Sequence, residues 1–220
     1  MDTTLFPAIL KTRVHEYDDI YTFTFEKPLR FTFSSGNYVH IHIPTVEPPY
    51  RSVREMSFAS APHDPDITFS ITTESKSHWQ TKLLELKSGD TIELFKIKGH
   101  LVTPSDGKVV MIAQGVGVTP FRSIIREHVE TNSGITSILI HVGRENYLYA
   151  DEFSKLSFEQ HRIVRDELEV TLDTVIVNNT NAFYMIAGSL AFVEAAQKNL
   201  QEKGIPASNI QIDTFKGLPD

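Results

Sequence analysis

The segment VVMIAQGVGVTPF, residues 109–121, constrains the fold more than any other stretch. The apolar run at Val109–Ala113 is typical of a short strand that is buried on both faces. Gly115 and Gly117 indicate a tight turn or a close approach by another group, and Pro120 suits the first turn of a helix. The segment therefore predicts a strand, a turn and a helix whose start can hold a phosphate or a ring. The dinucleotide fingerprint needs a third glycine, so an ordinary strand-to-helix turn stays open.

A second feature is the change of pattern about halfway along the chain. The segments before it, including YTFTFEK, NYVHIHIP, ITFSITTE and DTIELFKI, alternate apolar and polar residues as half-buried strands do. Trp79, Leu83 and Leu86 fall at helical spacing in a helix predicted over about 77–86. Residues 1–103 are therefore expected to form a β-rich domain.

Residues 104–220 show a different order, in which strands and helices alternate. The elements predicted after the first strand are helices at about Pro120–Glu130, Asp151–Leu156 and Ala191–Lys203, and strands at TSILIHVG, Leu168–Val177, FYMIAG and NIQID. This alternation predicts a parallel sheet covered on both faces. Ligands of such sheets bind at the carboxyl ends of the strands, where Gly115–Thr119 and Gly188–Ser189 lie. A site between the two domains is therefore expected.

The composition argues against several classes of function. The chain has 220 residues, a length that suits one domain or two of ordinary size, and its hydrophobic content of 40% is enough to bury a core. Its net charge of −7 argues against nucleic acid as the main partner, because phosphate binding needs a surplus of Lys and Arg. With no cysteine, the chain cannot hold a cysteine-ligated zinc ion or iron–sulfur cluster. MDTTLFPAILKTR lacks a signal-peptide pattern, and no apolar run matches a membrane span, so a cytoplasmic location is expected.

The segment YRSVREMSFASAP places Arg54 and Ser57 in a candidate strand that would bury alternate residues. Packing requires neither residue type there. The segment is either a surface edge strand with a solvated arginine, or a site in which the guanidinium reaches a phosphate and the hydroxyl reaches a polar ring atom.

Six segments together resemble the ferredoxin–NADP reductase-like flavoproteins. The flavin motif of that family, Arg-x-Tyr-Ser, is similar to REMSFAS at 54–60. The other similar segments are FTFSSGNYVHIHIP, SHWQTKLLELKSGDTIEL, AQGVGVTPFRSI, YMIAGS and IDTF. They follow the order of the family and cover nearly the whole chain. The resemblance implies a flavin-binding antiparallel β-barrel over 1–103, followed by a nucleotide-binding α/β domain with a parallel sheet over 104–220.

The resemblance also implies how FAD binds. Arg54 is expected to contact the FAD phosphates, and Met56 to lie along the flavin face where relatives often have Tyr. Ser57 is expected to approach flavin N5. Backbone groups in the strand ITFSITTE and at the start of the helix are expected to meet the cofactor, at Ile71, Thr72, Thr73, Ser77, Trp79 and Gln80.

A pyridine nucleotide is the second implied ligand. The two glycines of the turn leave room for the nicotinamide and its phosphates at the strand end. The residues that the resemblance places there are Gly115, Val116, Gly117, Thr119 and Gly188.

Three residues are implied to be catalytic. Asp213 matches the acidic residue of the family near the nicotinamide, and Phe215 matches the ring on the second flavin face, which must move for the nicotinamide to stack. Together with Ser57, they are expected to surround a hydride transfer from nicotinamide to flavin that depends on stacking of the two rings. Because the chain cannot hold a cysteine-bound cluster, the electrons are expected to pass to a separate acceptor, such as a ferredoxin-like redox protein.

The expected nucleotide is NADH rather than NADPH. In relatives that use NADPH, a Ser-Arg pair commonly follows the strand that corresponds to Leu168–Val177. This chain has VNN there, ending in Asn178 and Asn179, so no arginine fork is expected to meet a 2′-phosphate. Arg144 is the alternative ligand for that phosphate.

Two other functions stay open. The chain could be an NAD(P)H:flavin reductase, which releases flavin as a substrate, or a non-catalytic regulatory subunit that keeps flavin and nucleotide as ligands. His40 and His42 share one face of a strand, but no third ligand is predictable, so no metal site is expected.

Overall fold

The first domain is built on a six-stranded antiparallel sheet. The computed structural model describes residues 4–99 and 101–215, and the strand order in this sheet is β4-β3-β6-β1-β2-β5. Its elements are β1 (Phe6–Tyr17), β2 (Ile20–Glu26), β3 (Asn37–His42), β4 (Val53–Ser57), β5 (Asp66–Thr72), α1 (His78–Glu85) and β6 (Thr91–Gly99).

The two edge strands of this sheet approach each other. Ala59, just after β4, donates its N–H to the carbonyl of Thr68 in β5 (2.8 Å), which gives the sheet its barrel-like shape. The alternation in NYVHIHIP predicts that Val39 and Ile41 share the buried side of their strand. Both residues lie in the core of this domain. The antiparallel, barrel-like domain predicted from the resemblance is thus confirmed.

The second domain is a five-stranded parallel sheet in the order β11-β10-β7-β8-β9. Its elements are β7 (Lys108–Gln114), α2 (Thr119–Thr131), β8 (Thr136–Gly143), α3 (Ala150–Phe153), β9 (Glu159–Val164), α4 (Leu168–Val177), β10 (Phe183–Ser189), α5 (Leu190–Glu202) and β11 (Ile210–Phe215). Val110 and Ile112 face one hydrophobic cluster, and Val109 and Met111 face another. Both faces of the sheet are therefore covered, as predicted.

One predicted strand is wrong. Leu168–Val177 forms α4, and its buried residues Leu172, Val175 and Ile176 follow helical spacing. The strand in this part of the sheet is Glu159–Val164, an edge strand that was not predicted from the sequence. The expected domain boundary at 103/104 falls in the connection between β6 and β7. None of the described helices is long and apolar enough to cross a membrane.

Candidate functional site

Strand β4 directs Arg54 and Met56 toward the inner side of the first sheet. These residues pair with Ile41 and Val39 of β3, which are buried, and opposed residues of antiparallel strands point to the same side. Ser57 lies three positions after Arg54 and so points to the opposite side. Ser57 therefore does not share a face of the sheet with Arg54 and Met56.

Arg54 is nearly buried, with 8% of the residue exposed. Its Nη1 donates to the carbonyls of Val53 (3.1 Å) and Arg51 (3.4 Å). The amino end of α1 lies nearby, because Trp79 Nε1 donates to the carbonyl of Ser52 (3.1 Å). A guanidinium beside a helix start fits a diphosphate group.

The start of α1 is also held by its own cap. Ser77 Oγ accepts from the N–H of Gln80 (3.3 Å), and Gln80 Oε1 accepts from the N–H of Ser77 (3.2 Å). Two of the backbone donors predicted to meet a pyrophosphate are therefore already paired. The Trp79 side chain is fully buried in the core, so only the backbone of Trp79 can take the predicted role.

The end of β5 meets α1 at a small cavity of about 260 Å³, lined in part by Thr73, Lys76 and Gln80. Gln80 Nε2 donates to the carbonyl of Thr72 (2.8 Å), and the N–H and hydroxyl of Thr73 donate to the carbonyl of Asp19. The side chain of Ile71 lies in the core. The structure thus brings the predicted residues of β5 and α1 together, with several of their polar groups bonded to each other or to Asp19.

In the second domain, β7 runs into a short 3-10 helix, Gly115–Val118, and then into α2. Gly115 has a φ of +52°, and a Cβ added there would meet no atom within 4 Å. A left-handed backbone explains the glycine at this position. It leaves open space at the carboxyl end of the sheet, where a ligand is expected.

The other two glycines have a different explanation. A Cβ at Gly117 would overlap the carbonyl of Ala187, and one at Gly188 would lie 3.0 Å from the Cβ of Gln114. Both glycines therefore allow the end of β10 to lie close to the end of β7 and to the 3-10 helix that follows it. Gly117 was expected to leave room for the nucleotide, but in the structure it leaves room for the backbone of Ala187.

Two hydrogen bonds hold the glycine turn from inside the domain. Thr119 is 1% exposed, and its hydroxyl donates to the carbonyl of Val116 (2.6 Å). His141, in β8, places Nε2 3.0 Å from the carbonyl of Gly115. His141 was not among the predicted site residues, although a single polar residue inside the apolar run ILIHV is a signal that could have found it.

The two domains meet at the predicted catalytic residues. Ser57 Oγ donates to Asp213 Oδ2 at 3.4 Å, which joins β4 of the first sheet to β11 of the second. Phe215 is two positions further along β11, on the same side as Asp213, and is partly buried. Tyr38 lies opposite Ser57 in β3, and burial raises the pKa of its hydroxyl, with a further contribution from the charges of Glu55 and Asp213.

Helix α2 connects the domains more firmly. Arg122 donates to the carbonyl of Ala59 (2.8 Å) and to Glu152 (2.7 Å). Arg126 donates to Asp64 (2.6 Å) and to the same Glu152 (2.9 Å). The helix that begins at the glycine turn is thus tied to the segment that follows β4.

A larger cavity of about 450 Å³ lies beyond the carboxyl end of β8. Four of its lining side chains are carboxylates and one is a guanidinium, namely Glu16, Glu145, Asp151, Glu152 and Arg162. Tyr17 and Tyr147 add aromatic surface. The cavity is therefore acidic and partly aromatic.

The expectation of NADH from Asn178 and Asn179 is wrong in its premise, because these residues follow a helix and not a strand. Asn179 is buried and donates to the carbonyl of Val175 (2.7 Å), and its Oδ1 accepts from Lys108 Nζ (3.0 Å). Lys108 begins β7, so Asn179 lies at the end of the sheet away from the glycine turn.

His40 and His42 each face a glutamate. His40 Nε2 lies 3.1 Å from Glu55, and His42 Nδ1 lies 2.7 Å from Glu93. Within 4–99 and 101–215, no group of three or more His, Asp or Glu side chains is arranged to hold a metal ion.

The fold is found in several solved structures. A ferredoxin NADP+ reductase from Neisseria gonorrhoeae with bound FAD and NADP superposes with a TM-score of 0.83 at 19% identity, over 97% of this chain and 99% of that one. The flavohem-like FAD/NAD binding domain of nitric oxide dioxygenase from Vibrio cholerae gives 0.81 at 20% identity, over 96% and 98%.

Sequence relatives are of the same kind, although no family model matches the chain. A flavohemoprotein of Vibrio cholerae is 23% identical over 202 residues, which cover 83% of this chain and 51% of that protein. A flavodoxin/ferredoxin–NADP reductase of Escherichia coli is 24% identical over 191 residues, 84% of this chain and 74% of that protein. The chain spans between half and three fifths of the flavohemoproteins that it matches.

These findings define a class of fold, in which an antiparallel barrel-like domain is followed by a parallel α/β domain, and the two domains are in contact at Ser57 and Asp213. They also confirm the resemblance found in the motifs. The chain has the fold of the ferredoxin NADP+ reductase from Neisseria gonorrhoeae, and it is similar in sequence to flavodoxin/ferredoxin–NADP reductases.

Proposed function

We propose that this chain is a flavin-dependent oxidoreductase, which passes a hydride from NAD(P)H to bound FAD and then electrons to a separate acceptor. The contact between Ser57 Oγ and Asp213 Oδ2 carries the proposal, because it joins the implied flavin strand to the implied nucleotide sheet. When bound, FAD supplies a ring that accepts a hydride and releases electrons singly. The protein contributes binding, orientation and exclusion of water.

Residues of β4 and of the start of α1 would hold FAD in the first domain. Arg54 would bind the diphosphate, since its guanidinium is nearly buried beside the start of α1. Met56 is partly buried on the same side of β4 and would lie along the flavin face. Ser57 would approach the reacting edge of the ring from the domain junction.

Residues of the second domain would hold the nucleotide at the open space beside Gly115. Asp213 would lie near the nicotinamide, and Phe215 would cover the flavin face until the nicotinamide displaces it. Both side chains lie at the carboxyl end of β11, beside the end of β10. This placement supports a transfer between two stacked rings at the domain junction.

NADH is the proposed nucleotide, and the acidic cavity beyond β8 supports it in place of Asn178 and Asn179. The cavity beyond β8 is lined by Glu16, Glu145 and Asp151 in addition to Glu152, which pairs with two arginines. A 2′-phosphate that approached this region would meet a surplus of negative charge. Arg144 precedes Glu145 directly and is the basic residue that would favour NADPH instead.

The proposed acceptor is a separate redox protein. The chain contains no cysteine and so no ligand set for an iron–sulfur cluster. A curated relative is named a flavodoxin/ferredoxin–NADP reductase, which supports a small one-electron carrier as the partner.

One observation favours the flavin reductase alternative. The N–H groups of Ser77 and Gln80 are engaged in the helix cap, which leaves fewer donors for the diphosphate of FAD. A weakly held flavin would behave as a released substrate.

The visible spectrum of the purified protein, before and after anaerobic NADH, tests these functions. The proposed oxidoreductase is yellow, releases FAD on heating, is bleached by NADH and reduces ferricyanide. A colourless protein that turns over added flavin with NADH supports the flavin reductase. Bound FAD without turnover of any small acceptor supports the regulatory subunit, and no affinity for FAD contradicts the proposal.

A further inference from the structure

The imidazole of His141 is buried beneath the glycine turn. The residue is 1% exposed and lies in β8, with Ile140 and Val142 buried on either side. Its Nε2 is 3.0 Å from the carbonyl oxygen of Gly115. A carbonyl oxygen accepts, so Nε2 carries the proton and donates.

This ring has a fixed protonation state and a fixed orientation. Burial lowers the pKa of His141 to about 4, so the ring is neutral at physiological pH and its one proton is on Nε2. The Tyr147 ring packs edge-on against it, with 5.4 Å between centroids and an interplanar angle of 78°. Gly143 makes this packing possible, since a Cβ there would lie 2.8 Å from the Tyr147 ring.

The bond to Gly115 sets the direction of the next N–H group. The carbonyl of one residue and the N–H of the following residue share a planar trans peptide and point in opposite directions. Because His141 holds the carbonyl of Gly115, the N–H of Val116 points away from His141. Thr119 holds the carbonyl of Val116 in the same way and so fixes the N–H of Gly117.

We propose that His141 is a positioning residue for the nucleotide, which acts by fixing the peptide planes of the glycine turn through its Nε2–H bond to Gly115. This inference rests on the proposed binding of NAD(P)H at that turn. His141 does not touch the nucleotide itself.

The variants His141→Leu and His141→Gln test the proposal. Leu removes the donor at similar size, whereas the Gln amide can place a donor near the position of Nε2. His141→Leu is expected to raise the NADH KM and the NAD+ dissociation constant by roughly three- to tenfold, the range for one neutral hydrogen bond, while the content of FAD stays unchanged. His141→Gln is expected to recover most of this loss.

His128 provides a matched control in the same domain. It is also buried, and its Nδ1 lies 2.9 Å from Ser137 Oγ. Ser137 pairs with Val109 near the start of β7, at the end of the sheet away from the glycine turn. His128→Leu is expected to lower thermal stability but to leave the NAD+ dissociation constant unchanged. If both Leu variants change nucleotide binding equally, or if neither does, His141 has no specific positioning role.

The wild-type protein gives a measurement that does not depend on the variants. Long-range ¹⁵N–¹H spectra of histidine should show the His141 ring neutral with its proton on Nε2, and its signals should shift when NAD+ is added. The Nδ1–H tautomer, or no shift at NAD+ saturation, overturns the inference. A wild-type protein that neither binds NAD+ nor oxidises NADH or NADPH contradicts the proposed function itself, and is thus distinguishable.

Discussion

The two domains form their parts of the candidate site by different means. In the first domain, the side chains of an edge strand carry it, with Arg54 and Met56 on one side and Ser57 on the other. In the second domain, the main chain forms the candidate site at Gly115, and the buried Nε2–H of His141 holds the Gly115 carbonyl from beneath. Substitutions in the first domain should therefore change the affinity for FAD, whereas those in the second should change the shape offered to the nucleotide.

The largest expected effect is that of Arg54→Ala. Loss of a charge-assisted phosphate contact of about 1.5–3 kcal/mol should weaken FAD affinity by roughly ten- to a hundredfold. Titration of FAD into the flavin-free protein measures it. Arg51→Ala is the control, because the Arg51 side chain is exposed three residues away. Equal FAD affinity in both variants would show that Arg54 does not contact the FAD phosphates.

Acid pH should destabilise the second domain through two buried histidines. His128 and His141 are buried in the second domain, and burial lowers the pKa of both below the usual 6.5. The unfolded chain then binds protons more readily than the folded one, so their contribution to stability is present above pH 6.5 and is lost as the pH falls. For His141, with a pKa of about 4, the loss between those values is about 1.4 kcal/mol per pH unit.

Urea unfolding at several pH values measures this loss. His141→Gln should reduce the slope of stability against pH in this range. An unchanged slope in His141→Gln would show that this histidine is not buried as a neutral ring.

A pair of glycine variants sharpens the contrast between shape and side-chain chemistry. Gly115 and Gly134 both have a positive φ, and a Cβ at either would meet no atom within 4 Å. Alanine at each should cost about 1–2 kcal/mol of unfolding free energy. The methyl group of Gly115→Ala would also enter the space proposed for the nucleotide and should raise the NADH KM. Equal KM values for the two variants would place the nucleotide elsewhere.

The smallest expected effect is the preference for NADH. A ratio of about ten in kcat/KM over NADPH corresponds to about 1.4 kcal/mol. Glu145→Gln should lower this ratio by improving the use of NADPH. Arg144→Ala should change little if the acidic cavity decides the choice. A preference for NADPH that Arg144→Ala abolishes would assign the phosphate to Arg144.

The sequence predicted a strand correctly where the strand is apolar throughout and buried on both faces. Val109–Ala113 is apolar throughout and lies at the centre of the parallel sheet as β7. Leu168–Val177 was wrongly predicted as a strand because its β-branched residues favour strands, although its buried residues have helical spacing. Glu159–Val164 was missed because, as an exposed edge strand, it buries little beyond Ile163.

The candidate site was likewise predicted only in part from the sequence. The motifs located Ser57 and Asp213, which do meet across the domains. They did not explain Gly117 and Gly188, because the closeness of two strand ends is a tertiary property. His141 was missed for the same reason, since its partner is a backbone carbonyl 26 positions away in the chain.

The bonds of Arg122 and Arg126 bear on protein engineering. Both arginines donate to Glu152 within the second domain. Arg122 also donates to the carbonyl of Ala59, and Arg126 to the carboxylate of Asp64, both in the first domain. A chimera that replaced the second half with that of a relative would exchange α2 and Glu152 but keep Ala59 and Asp64. Its donor half would therefore need arginines at both positions of α2 to keep the glycine turn in register with Ser57.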